Sequence, residues 1–130
     1  MHSVRILWAQ FFAATLLAVL TWIAVWHSLY WYWWWFDIPM HILGGTWAGL
    51  CAAWLVARRG NTFTLVGCLA FGLLVGAAWE VFEYIEKIAV IYENYIADTM
   101  TDLVMDIIGA ALGYMVAHTL YRGKKIPFEE

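Results

Sequence analysis

The sequence predicts an all-α, polytopic membrane protein: one domain of four transmembrane helices, with both ends of the chain on the cytoplasmic side. Three observations carry that reading. Apolar residues make up 65% of the 130 and charged residues only 13%, where soluble domains carry about 25% charged residues. Apolar runs long enough for a bilayer core, which takes about 20 residues per helix, recur four times. The cations, finally, gather at alternate connections. At this length the chain is one domain at most.

The first run, residues 5–28, follows Arg5. It is longer than the apolar region of a secretory signal and shows no small-x-small cleavage pattern, so it reads as a retained helix. The second run covers residues 38–57, the third 63–86 and the fourth 99–121. Short connections join them: "LYWYWWWFD", "RRGN" and "AVIYENYIAD". Spans one and two do not echo spans three and four, so no internal repeat is read.

Arg5 precedes span one, Arg58 and Arg59 separate spans two and three, and Arg122, Lys124 and Lys125 follow span four. Lys and Arg are retained on the cytoplasmic side, and an even number of spans puts these three places on one face. Only Lys87, of the seven basic residues, falls at the other end. The aromatic cluster at residues 31–35 then belongs at the outer interface, where Trp and Tyr are favoured. No basic cluster is large enough to form a nucleic-acid surface. Cys51 and Cys68 sit on apolar backgrounds and read as reduced packing residues, since free Cys behaves as a small hydrophobe.

Against this background the acids stand out. "FDIPMH" places Asp37 at the outer start of span two with His41 one turn in. "WEVFEY" places Glu80 and Glu83 in the last two turns of span three, and "DTMTDLVMDIIGA" spaces Asp98, Asp102 and Asp106 four apart in span four. At about 1.5 Å per residue, His41, Glu83 and Asp102 lie roughly 6 Å below the outer helix ends, and Glu80 and Asp106 about 10–12 Å down. With about 100° per residue, Asp98, Asp102 and Asp106 cover an arc of about 80° that also holds Gly109 and Gly113. Asp37 and His41 share a stripe with Gly44, Gly45, Ala48 and Ala52, and Gly72 and Gly76 lie below Glu80 and Glu83. Small residues let membrane helices approach closely. The expected assembly closes the small-residue ends and opens a polar pocket above them. Span one packs around the other three, with His27 at the rim.

Six carboxylates in one pocket need countercharge, because like charges and burial both oppose ionisation. Lys87, one turn above Glu83, offers one such charge as a Glu83–Lys87 pair. Protons or metal ions must serve the rest. Intramembrane ionisable residues are a functional-site hypothesis by default, and one His with several carboxylates suits Mg, Mn, Fe or Zn. The expected ligands are Asp37, His41, Glu80, Asp102 and Asp106, holding one or two divalent ions. Glu83 or Asp98 is the expected general base for a cation-bound water, whose pKa the ion lowers. Asp37 and Asp98 also read as helix N-caps. His118 is read as snorkelling near the inner end, Tyr84 as belt packing or a donor to a carboxylate, Glu86 as pointing off the polar face, and Glu93, Glu129 and Glu130 as solvated.

The ordered set "DIPMH", "WEVFE" and "DTMTDLVMDIIGAALG" resembles the small YjdF-like integral membrane proteins of bacteria and, more distantly, the VanZ-like family. The resemblance covers roughly residues 30–115 and falls on Asp37, His41, Glu80, Glu83, Asp98, Asp102, Asp106 and Gly109. The chain departs from the VanZ-like pattern at Asp106, where an amide is common, and at Glu83, where Gln is common. The resemblance implies a bacterial inner-membrane protein and little about activity.

Three functions are expected in competition. The first is metal-dependent action on an envelope lipid or its phosphate-bearing headgroup, from a site on the outer side, with membrane lipid as the partner. The second is translocation of protons or metal ions, as a homo-oligomer. The third is a non-catalytic assembly partner with a structural ion. Below Asp106 the polar stripes turn to Gly and Ala, which favours a one-sided site over a conduit.

Overall fold

In the computed structural model the described residues are 2–86 and 94–122, and every regular element among them is helical. Helix α1 runs His2–Trp26, α2 Leu29–Tyr32, α3 Asp37–Ala57, α4 Leu65–Glu86 and α5 Tyr95–Arg122. All but α2 are long and apolar enough to cross a membrane.

Several boundaries depart from expectation. Span one ends at Trp26 rather than 28, because Ser28 takes a left-handed backbone (φ 56°) that turns the chain into the one-turn helix α2. Leu65, not residue 63, opens α4. The largest difference is α5, which begins at Tyr95, so Asp98 lies within its first turn and its N–H already bonds the Asn94 carbonyl. Asp98 is therefore not the cap, and neither is Asp37: the cap position of α3 is Phe36, with no side-chain hydrogen bond.

Helix α3 touches α1, α4 and α5. Half of its membrane-length window is buried, against 17% for α1, so α3 is the axis and α1 a peripheral strut. The α3–α5 crossing is closed by glycine. A Cβ on Gly45 would strike the Asp106 backbone, and one on Gly49 the Ala110 backbone. Gly109 and Gly113 meet the α3 backbone at Ile42 and Thr46 in return. Helices without a hydrophobic drive between them associate through such close packing. Gly44, expected on this stripe, instead has open space around it.

Gln10, in the otherwise apolar α1, is buried and ties that strut to the axis. Its Nε2 donates to the Leu50 carbonyl at 3.3 Å, and Cys51 Sγ donates to its Oε1 at 3.2 Å. Ile6, Ala57, Cys68 and Ala117 share one core cluster, which brings the start of α1, the ends of α3 and α5 and the start of α4 to one end of the bundle. Arg5, Arg58 and Arg59 flank that end, Arg58 lying 4.9 Å over the Trp54 ring. The acids occupy the other end. The aromatics at residues 31–35 are exposed there, with Trp33 stacked on Trp35.

Candidate metal centre

His41 sits in the second turn of α3, 6% exposed, facing α5. Its two ring nitrogens meet different acids. Nδ1 lies 3.3 Å from Asp106 Oδ2, a hydrogen bond between buried side chains. Nε2 lies 3.7 Å from Asp37 Oδ2 and 3.9 Å from Asp102 Oδ1. Those two gaps are too wide for hydrogen bonds. Two ligands about 2.1–2.2 Å from a common ion, at angles near tetrahedral or trigonal, stand about 3.4–3.8 Å apart. The Asp37, His41 and Asp102 ligand atoms all fall within 4.8 Å of one another, close enough to share one ion.

Asp106, expected among the ligands, reaches the imidazole from the opposite nitrogen. Its carboxylate fits because Gly76 of α4 lacks a side chain: a Cβ there would overlap Asp106 Oδ2. A carboxylate on the non-ligating nitrogen fixes the tautomer and raises the basicity of a metal-binding histidine.

Glu80 lies one turn beyond Gly76 on the same face of α4 and is 5% exposed. Thr99 Oγ1 donates to its Oε2 at 2.8 Å, while its Oε1 is buried without a hydrogen-bond partner among the described residues. A buried bare carboxylate oxygen is costly unless a proton or a cation meets it. Glu83 is turned to a different use. Trp79, one turn earlier, donates its indole N–H to Glu83 Oε1 at 2.9 Å on the exposed side of α4. The Glu83–Lys87 pair, like Glu93, Glu129 and Glu130, lies outside the described residues.

A cavity of about 380 Å³ opens beside the cluster, lined among others by Trp34, Asp37, Asn94, Asp98, Thr101 and Asp102. Asp98 thus faces the cavity, and Glu83 is not among its lining residues. Tyr84 is exposed and packs on the Tyr95 ring. His118 stacks on Tyr114, far along α5 from the acids. His27 and Glu86 are exposed, and Cys51 and Cys68 are free thiols near the other end.

Four participants escaped the sequence reading. Thr99 sits three residues before Asp102, a spacing that shares its face. Gln10 is the one amide in the apolar run of α1. Gly49 repeats Gly45 at four residues, and Trp79 precedes Glu83 by one turn.

The comparisons with curated proteins and with solved structures returned no match. One family model, described as predicted membrane protein (DUF2238), matches residues 3–123. The YjdF-like likeness fits that family broadly, and nothing found supports the VanZ-like one. The match spans nearly all the chain, and the protein belongs to the DUF2238 family of predicted membrane proteins.

Proposed function

We propose that this protein holds a divalent cation between Asp37, His41 and Asp102, at the outer side of the bacterial inner membrane, and uses it on the phosphate-bearing headgroup of an envelope lipid. The observation that carries the reading is the division of labour at His41. One nitrogen is hydrogen-bonded to Asp106, and the other faces two carboxylates across gaps of 3.7 and 3.9 Å. The ligand set, oxygen-rich with one imidazole, suits Mg, Mn, Fe or Zn. Glu80 is the reserve ligand for a second ion, since its Oε1 has no other partner among the described residues. The gathering of cations at the opposite end of the bundle supports an outward site.

Asp98 is the general base in this scheme. A cation held by Asp37, His41 and Asp102 would lower the pKa of a nearby water, and Asp98 would take the proton of the water that adds to phosphorus. The ester P–O bond breaks and the departing oxygen takes that proton, so that water and a phosphoester become an alcohol and a phosphate. The competing reading is translocation. The backbone contacts of Gly45, Gly49, Gly109 and Gly113 begin level with Asp106 and continue below it, where a conduit would need polar lining, and they weigh against it.

The test is elemental analysis of the full-length protein purified in mild detergent without chelators, followed by assays on phospholipid vesicles. A stoichiometric divalent metal is expected in the parent, lost in His41→Ala and Asp102→Asn, with headgroup release that follows the metal. A parent free of metal sinks the reading. Bound metal with no release favours a structural ion.

A further inference from the structure

The cavity beside the cluster has a chemistry of its own. Among its lining residues are three carboxylates, Asp37, Asp98 and Asp102, with the amide of Asn94, the hydroxyl of Thr101 and the indole of Trp34; among the described residues none of the lining is Lys or Arg. Its volume, about 380 Å³, falls in the range of small-molecule sites. Asp102 is 3% exposed, yet no hydrogen-bond donor among the described residues reaches its carboxylate. Trp34 is 83% exposed and lines the cavity.

Charge then selects the ligand. One divalent ion against three cavity carboxylates leaves a net negative charge, which opposes a purely anionic headgroup. A headgroup that brings its own cation removes the conflict. Trp is the strongest aromatic partner for an ammonium group, and the Asp98 carboxylate lines the same cavity.

We propose that this cavity seats a primary ammonium group, so that the preferred ligand is a zwitterionic phosphoethanolamine headgroup with its phosphate toward His41 and its nitrogen between Trp34 and Asp98. The inference rests on the metal reading above and adds the headgroup class to it. Asp37 and Asp102 serve both halves, facing the ion on one side and the cavity on the other.

The test is calorimetric titration of the full-length, manganese-loaded protein with two soluble probes, glycerophosphoethanolamine and glycerophosphoglycerol. The parent should bind the ethanolamine probe about tenfold more tightly, the scale of one cation–π contact with a flanking carboxylate. Trp34→Ala should bring the two probes to equal affinity, and Trp34→Phe should restore part of the difference. Asp98→Asn should narrow it as well. Equal affinities in a parent that retains manganese overturn this inference alone. Failure to retain manganese, with neither probe bound, overturns both it and the metal reading.

Discussion

His41 Nδ1 and Asp106 Oδ2 lie 3.3 Å apart, joining α3 to α5 between two buried side chains. An ionised carboxylate only accepts hydrogen bonds, so with Asp106 in that form the proton belongs on Nδ1. Nε2 then keeps its lone pair toward Asp37 and Asp102. Asp106→Asn offers N–H donors as well as an oxygen and no longer dictates the tautomer. It should lower divalent-metal affinity by about 10–100-fold, the usual effect of losing such an outer partner. Competition against a metal-sensitive dye measures this directly. Unchanged affinity would mean that Asp106 does not set the tautomer.

The α3–α5 crossing makes a second prediction with an internal control. A Cβ on Gly109 meets the Ile42 carbonyl and the Thr46 nitrogen, which are backbone atoms that cannot swing aside. Gly109→Ala should therefore push the helices apart and destabilise the fold by about 1–3 kcal/mol, as overpacking does. Gly44→Ala adds the same atom where nothing lies within 4 Å and should be neutral or slightly stabilising. Thermal unfolding of both variants in one detergent separates the two. Equal losses would place the close contact elsewhere.

Tyr30, in α2 outside the candidate spans, carries a pH prediction. Burial, then the Asp37 carboxylate with a smaller push from Glu83, drives its phenol up to about 12, with the Thr21 side chain pulling the other way. The folded chain keeps this proton where an unfolded tyrosine, near pKa 10, gives it up. Its contribution to stability is therefore complete below pH about 10 and is lost as pH rises toward about 12. Tyrosinate absorbance should show a late component that Tyr30→Phe removes, and the same variant should flatten the alkaline fall in stability. A late component that persists in Tyr30→Phe would assign the shift to another phenol.

The sequence exposes the helices because each span is a run of apolar residues about as long as a bilayer core is thick. It exposes the acids because spacings of four keep Asp98, Asp102 and Asp106 near one another on α5. What it hides is rotation about each axis. Gly44 and Gly45 differ by about 100°, and only the packed structure shows that Gly45 and Gly49 face α5 while Gly44 does not. The start of α5 is hidden too, since Tyr95, Ile96 and Ala97 read equally well as connection or helix. The roles of equivalent acids are hidden for the same reason. Asp102 and Asp106 share a helical face, yet they meet opposite nitrogens of one ring. Glu83 shares a face with Glu80, yet its Trp79 neighbour engages it on the exposed side.

Thr99 and Glu80 supply the last prediction. The Thr99 hydroxyl donates to Glu80 Oε2 at 2.8 Å, and Oε1 has no hydrogen-bond partner among the described residues. Thr99→Val keeps the shape of the side chain and removes the donor, leaving a second buried oxygen bare. Stranding a buried acceptor costs about 1–3 kcal/mol, so Thr99→Val should destabilise the metal-free protein by about that much. Glu80→Leu removes the acceptor altogether, and Thr99→Val made in that background should cost far less. The coupling, measured by unfolding the four proteins of the cycle with a chelator present, isolates the hydrogen bond. Metal then separates two roles for Glu80. If its free oxygen meets a second cation, added manganese should stabilise the parent more than Glu80→Leu. Equal stabilisation leaves Glu80 with a purely structural proton or bond and confines the centre to Asp37, His41 and Asp102.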